Sequence, residues 1–113
     1  MIKYSDIKDV FAAHDLTVYE YNIETIEIID LPFLVYTVTD GGSFRADSIN
    51  YVGFLNVSLA IIDETLSFET QNKVEQVFEE NCIAFDKQIN FDDSERLYTI
   101  TYTFGVFDDG IEN

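Results

Sequence analysis

Few residues of this chain have the type and spacing that chemistry needs. A nucleophile triad requires a base, and the one histidine, His14, falls near the end of a predicted first helix, where a surface or C-capping role is expected. Cys82 follows Glu79-Glu80, an acidic run unlike the electropositive surroundings of reactive cysteines, so it reads as a structural thiol. One His and one Cys are too few soft ligands for zinc. Asp63-Glu64 and Asp92-Asp93 are paired carboxylates able to meet a divalent cation, but neither has EF-hand spacing with its central Gly and terminal Glu. Gly41-Gly42 has no following Lys or helix start, which makes it a hairpin-type turn rather than a phosphate loop. No enzyme activity, cofactor or metal is therefore expected.

What remains is Arg45 and Asp47, in a polar turn between two strands. Arg45 can reach carboxylates of a neighbouring subunit bidentately, or pair locally with Asp47 or Asp40. Asp47 is expected to bond backbone amides of its own turn.

The elements that must position these residues follow from periodicity. Ser5 is the expected cap of a first helix, with Asp6 and Asp9 in its first turn, Ile7, Val10 and Phe11 on one face, and an end near His14-Asp15. Thr17 to Tyr21 is short and β-prone, and Ile23 to Asp30 reads as irregular or weakly extended. Leu31 to Thr39 is a strand entered through Pro32, which lacks an amide donor and belongs at a strand start or an edge. Phe54 to Ile62 alternates, with Leu55, Val57, Leu59 and Ile61 on the face to be buried. The main helix starts from Ser67, with Thr65 as competing cap, and presents a stripe of Gln71, Val74, Val77 and Phe78 to the sheet. Ile83 to Phe91 is extended, 92–95 is a turn, and Leu97 to Phe107 alternates most clearly: Tyr98, Ile100, Tyr102, Phe104 and Val106 against Thr99, Thr101 and Thr103. The tail, 107–113, is expected to be mobile. This order predicts a single α+β domain over 1–113: an antiparallel or mixed sheet of about four to five strands, with the N-terminal helix and the main helix packed on one face.

Composition bounds the partners. With 47% hydrophobic residues in 113, the chain can bury a normal core. Its seven Tyr and ten Phe, with no Trp, suit half-buried sheet faces and interfaces. The net charge of −16, from 22 acidic and six basic residues, disfavours phosphate neutralisation and anionic membranes alike. Three readings of the acidity stand open: solubility, a surface past which DNA slides, and mimicry of DNA. One cysteine allows no internal disulfide and suits a reducing cytoplasm, and neither a signal peptide nor the roughly 18-residue apolar run of a membrane span is expected.

Several segments, in order, resemble the tail-terminator (tail-completion, or minor capsid-type) proteins of long-tailed bacteriophages and prophages. These have a Pro-Phe/Tyr-hydrophobic-Val-Tyr strand, then a Phe-x-Ala-Asp-Asn-x-x-Tyr-like segment. Here they correspond to Leu31-Pro32-Phe33-Leu34-Val35-Tyr36, Phe44-Arg45-Ala46-Asp47 and Asn50-Tyr51. A Val-x-Leu strand follows at Val57-Ser58-Leu59, then a Glu-rich helix with Glu69, Lys73 and Glu75. An aromatic precedes Lys in Phe85-Asp86-Lys87, and a Glu-x-Leu-Tyr-x-x-x-Tyr strand matches Glu95 to Tyr102. Ile61-Ile62 stands where the family often has Tyr-Thr, and Ser48-Ile49-Asn50 replaces the Asn that often follows Ala-Asp.

The resemblance implies a structural protein that caps the tail tube as a ring, commonly a hexamer, and joins it to the DNA-filled head. Its implied partners are copies of itself, the tail tube protein and a head-completion or neck protein, in a virion assembled in the bacterial cytoplasm. Phe44, Arg45, Asp47 and Tyr51 are the implied subunit or neck contacts. A head-side stopper or adaptor, and an acidic DNA mimic that inhibits a DNA-binding protein, are the alternatives.

Overall fold

A computed structural model describes residues 2–21, 31–40 and 54–107. It is an α+β fold built on one mixed sheet of five strands. After a short 3-10 turn at Tyr4–Asp6, the elements are α1 (Ile7–Ala12), β1 (Val18–Glu20), β2 (Phe33–Asp40), β3 (Phe54–Asp63), α2 (Phe68–Glu80), β4 (Phe85–Asp92) and β5 (Leu97–Phe107). Across the sheet the strands lie in the order β1-β2-β3-β5-β4. β1 runs parallel to β2, and every other neighbouring pair is antiparallel.

The registers bring the apolar halves of the alternating strands onto one face. Leu34 faces Ile61, which faces Ile100; Tyr36 faces Leu59, which faces Tyr102; Val57 faces Phe104. These side chains are all buried, because α1 and α2 cover this face with Ile7, Phe11, Val74, Val77 and Phe78. Phe78 is the hub. Its ring lies 4.8 Å from those of Phe85 and Phe104, 5.5 Å from Tyr102 and 6.0 Å from Phe11.

Both helices end on left-handed residues, which lets the last carbonyls be satisfied. At α1, Asp15 has φ 67° and the Leu16 amide reaches back to the Phe11 carbonyl at 3.1 Å. At α2, Cys82 has φ 55° and the Ile83 amide reaches the Phe78 carbonyl at 2.8 Å. Pro32 stands just ahead of β2, as expected of a residue without an amide donor, and the Leu31–Pro32 peptide is cis.

Of the two expected helix caps, Ser5 is corrected and Ser67 is met in position. The first helix opens with the 3-10 turn, whose cap is Lys3 rather than Ser5: the Lys3 amide donates to the Asp6 carboxylate at 3.2 Å. Ser67 occupies the cap of α2 in a left-handed conformation, with its hydroxyl turned to the Asp63 carboxylate instead of to the helix amides. Phe107, the expected last residue of the alternating strand and the first of the expected tail, closes β5, and its amide donates to the Ile2 carbonyl at 3.0 Å. The expectations for 22–30, 41–53 and 108–113 lie outside the described residues.

Candidate functional site

The four residues singled out as subunit or neck contacts, Phe44, Arg45, Asp47 and Tyr51, lie outside the described residues. The other candidate chemical groups are resolved into local roles. His14 Nε2 lies 2.9 Å from Glu80 Oε1, tying the end of α1 to the end of α2. Cys82 is exposed at the left-handed position after α2, so its thiol is no part of the core. The Asp63 carboxylate accepts from the Glu64 amide at 2.8 Å and the Thr65 hydroxyl at 3.3 Å, besides the Ser67 hydroxyl. Asp92 accepts from the Ser94 hydroxyl and amide, both at 3.0 Å, and those bonds hold its carboxyl below the usual range. Each acid therefore closes its own turn. Among the described residues, no cluster of His, Cys, Asp and Glu could hold a metal ion.

The most developed polar arrangement is one the sequence reading did not anticipate. Lys87 on β4 and Tyr102 on β5 are cross-strand partners beneath α2. Gln71 and Glu75, one helical turn apart, reach down to them. Lys87 Nζ donates to Gln71 Oε1 at 2.7 Å and to Glu75 Oε2 at 2.6 Å, while Tyr102 Oη donates to Glu75 Oε2 at 2.8 Å. Gln71, only 3% exposed, spends its amide on the Leu66 carbonyl at 2.6 Å. Burial works to raise the Glu75 carboxyl, but the bonds from Lys87 and Tyr102 outweigh it and the net shift is downward. Burial, then the bond to Glu75, pushes the Tyr102 phenol upward. Tyr102 is thus held as a neutral donor, and the Glu75 carboxylate it shares with Lys87 cross-links helix to sheet. The available signal was Lys87 itself, at an inward position of the alternation Phe85, Lys87, Ile89, Phe91.

A smaller cluster anchors the N-terminal segment. Tyr4 Oη donates to Glu20 at 2.5 Å, and its ring meets that of Tyr36 edge-on at 6.0 Å. Burial, then the Glu20 charge, pushes the Tyr36 phenol up to about 12, and burial with the Glu20 bond pushes Tyr4 up as well.

Surfaces remain to be accounted for. The sheet face opposite the helices carries Val35, Ala60 and Thr101 in one cross-strand row, and Thr37, Ser58 and Thr103 in the next. All but the exposed Thr103 are half-buried, and they form a face of small side chains. At the start of α2 an open groove of about 540 Å³ is lined by Leu66, Phe68 and Tyr98 together with Glu64 and Glu69. Among the described residues no helix is long and apolar enough to cross a membrane.

No protein-family model matches this chain, and no curated protein matches it.

Proposed function

We propose that this protein is a structural subunit of a long-tailed phage or prophage particle, which caps the tail tube as a ring and joins the tail to the DNA-filled head. The observation that carries the reading is the one-sided sheet. Both helices lie on one face, while the centre of the other, across β2, β3 and β5, presents Val35, Thr37, Ser58, Ala60, Thr101 and Thr103, side chains that suit packing against another protein surface. Of the segments that resemble the tail-terminator family, the first runs into β2 and those from Val57 onward fall on β3, α2, β4 and β5, while Phe44–Asp47 and Asn50-Tyr51 lie outside the described residues. The net charge of −16 suits a conduit through which DNA passes without sticking.

Copies of the chain, the tail tube protein and a neck protein are the proposed partners, and the contacts of Phe44, Arg45, Asp47 and Tyr51 belong to this proposal. A heterologous interface closed into a ring needs no ligand or cofactor. Antibodies raised against the purified protein should label the head–tail junction of intact particles by immunogold electron microscopy. Label confined to the distal tail tip, or absent from particles, would sink the reading. Arg45→Ala or Asp47→Ala should abolish ring assembly while leaving the circular dichroism of the folded chain unchanged.

A further inference from the structure

Every residue of β4 is exposed. This includes Phe85, Ile89 and Phe91, which share the helix-covered face with the buried Phe104 and Ile100. The reason is the position of α2. It lies over β5 through Phe78 and Glu75, and meets β4 at the ring of Phe85 and the Lys87 ammonium. Beyond that reach, Ile89 is 45% and Phe91 47% exposed. The Phe91 ring packs at 4.7 Å on Tyr98, and Tyr98 also lines the groove that holds Phe68, itself 65% exposed. An apolar track thus runs from the outer strand into the groove.

β4 is also a sheet edge: among the described residues, no strand pairs with its outer side. An eight-residue edge without proline presents unpaired amides and carbonyls to any strand that fits. Its surroundings are acidic. Asp86 and Asp92 stand on the face of β4 opposite the apolar track, Asp93 and Glu95 occupy the hairpin loop, and Glu64 and Glu69 line the groove. The cation of the strand, Lys87, is already engaged by Glu75 and Gln71, which leaves Arg96 in the loop as the other positive group nearby.

We infer that the β4 edge is a docking site for an extended segment of another protein in which Lys or Arg alternates with apolar residues. Such a strand would extend the sheet, lay its apolar side chains along Ile89, Phe91 and the groove, and set its cations beside Asp86 and Asp92 on the opposite face. A second copy of the chain is disfavoured as occupant, since both copies carry a charge of −16. Nucleic acid is disfavoured for the same reason. The inference stands on the edge alone and does not depend on the phage reading.

The test uses the full, isotope-labelled chain and two synthetic peptides as long as the eight-residue β4, with identical Val and Ile positions and either Lys or Glu between them. At low salt the Lys peptide should slow amide exchange across Phe85–Asp92 by roughly tenfold or more, and added salt should reverse the effect. Ile89→Thr combined with Phe91→Thr keeps a strand-forming sequence at two exposed positions, and should abolish the protection with the fold intact. Asp86→Lys, which leaves the turn-closing Asp92 in place, should weaken the protection given by the Lys peptide. Equal protection by both peptides, or by neither, would overturn the proposal. Protection that grows with protein concentration alone would replace it with self-pairing.

Discussion

Lys87 and Tyr102 sit opposite each other on adjacent strands and donate to the same atom, Oε2 of Glu75, at 2.6 and 2.8 Å. One carboxylate oxygen therefore holds α2 to two strands at once. Removing it strands both donors, and the two differ in consequence. The Tyr102 side chain is fully buried and its hydroxyl would lose its partner, whereas Lys87 keeps Gln71 and some access to water.

Glu75→Ala is expected to destabilise the fold by about 1–3 kcal/mol, mostly the cost of an unsatisfied buried hydroxyl. Tyr102→Phe should cost about 1 kcal/mol, because it removes the donor along with the need for a partner. In the double variant the two losses should not add, since both report the same bond. Urea unfolding of the four proteins checks this.

The same network sets an acid limit. The folded Glu75 carboxyl lies below its ordinary value of 4.5, so its contribution is present above that pH and is lost as the pH falls through the folded value. Glu75→Gln should flatten that acid limb when urea midpoints are measured against pH. An unchanged limb would remove the network from the account.

At the alkaline end the sign reverses. Tyr36, Tyr4 and Tyr102 all have folded pKa values raised above 10. Their contribution is whole below that pH and is lost as the pH climbs; for Tyr36 the window runs from 10 to about 12. Phenolate absorbance should show these three ionising late or together with unfolding. Tyr36→Phe should remove one late-titrating group.

Phe78→Ala should be the most damaging single change in α2. Its fully buried ring meets four other aromatic rings from α1, β4 and β5. A loss of about 3–5 kcal/mol is expected for such a truncation, a large share of the roughly 5–15 kcal/mol that holds a typical domain together. Thermal melts followed by circular dichroism measure it. His14→Ala, by contrast, breaks a partly exposed pair and should cost no more than about 1 kcal/mol.

Cys82→Gly is expected to stabilise the chain by up to about 1 kcal/mol. The φ of 55° at Cys82 is one that glycine adopts without a Cβ clash. Denaturant midpoints of the two proteins decide it.

Local patterns carried much of this architecture. Ile100, Tyr102, Phe104 and Val106 are buried as their alternation required, and the buried residues of α2 are the stripe Gln71, Val74, Val77 and Phe78. What periodicity could not express was pairing. Whether β1 runs parallel to β2, and that β5 separates β3 from β4, depend on contacts distant in sequence. The start of the first helix was missed for a different reason: the Asp6 carboxylate binds the Lys3 amide and sets the cap at Lys3, whereas Ser67 is the cap of α2 as expected, with its hydroxyl on Asp63. The Lys87–Glu75–Tyr102 network was hidden because each member, read alone, resembles an ordinary surface or core residue. The expected contacts at Phe44, Arg45, Asp47 and Tyr51 lie outside the described residues.

The most direct measurement is deletion of the gene, in the phage or prophage to which the proposal assigns it, followed by negative-stain electron microscopy of the induced lysate. The account predicts DNA-filled heads lying unjoined beside tails of abnormal length. Normal-length tails beside empty, leaking heads would move the protein to the head side of the neck. Wholly normal, infectious particles would contradict the structural role and favour an acidic mimic of DNA.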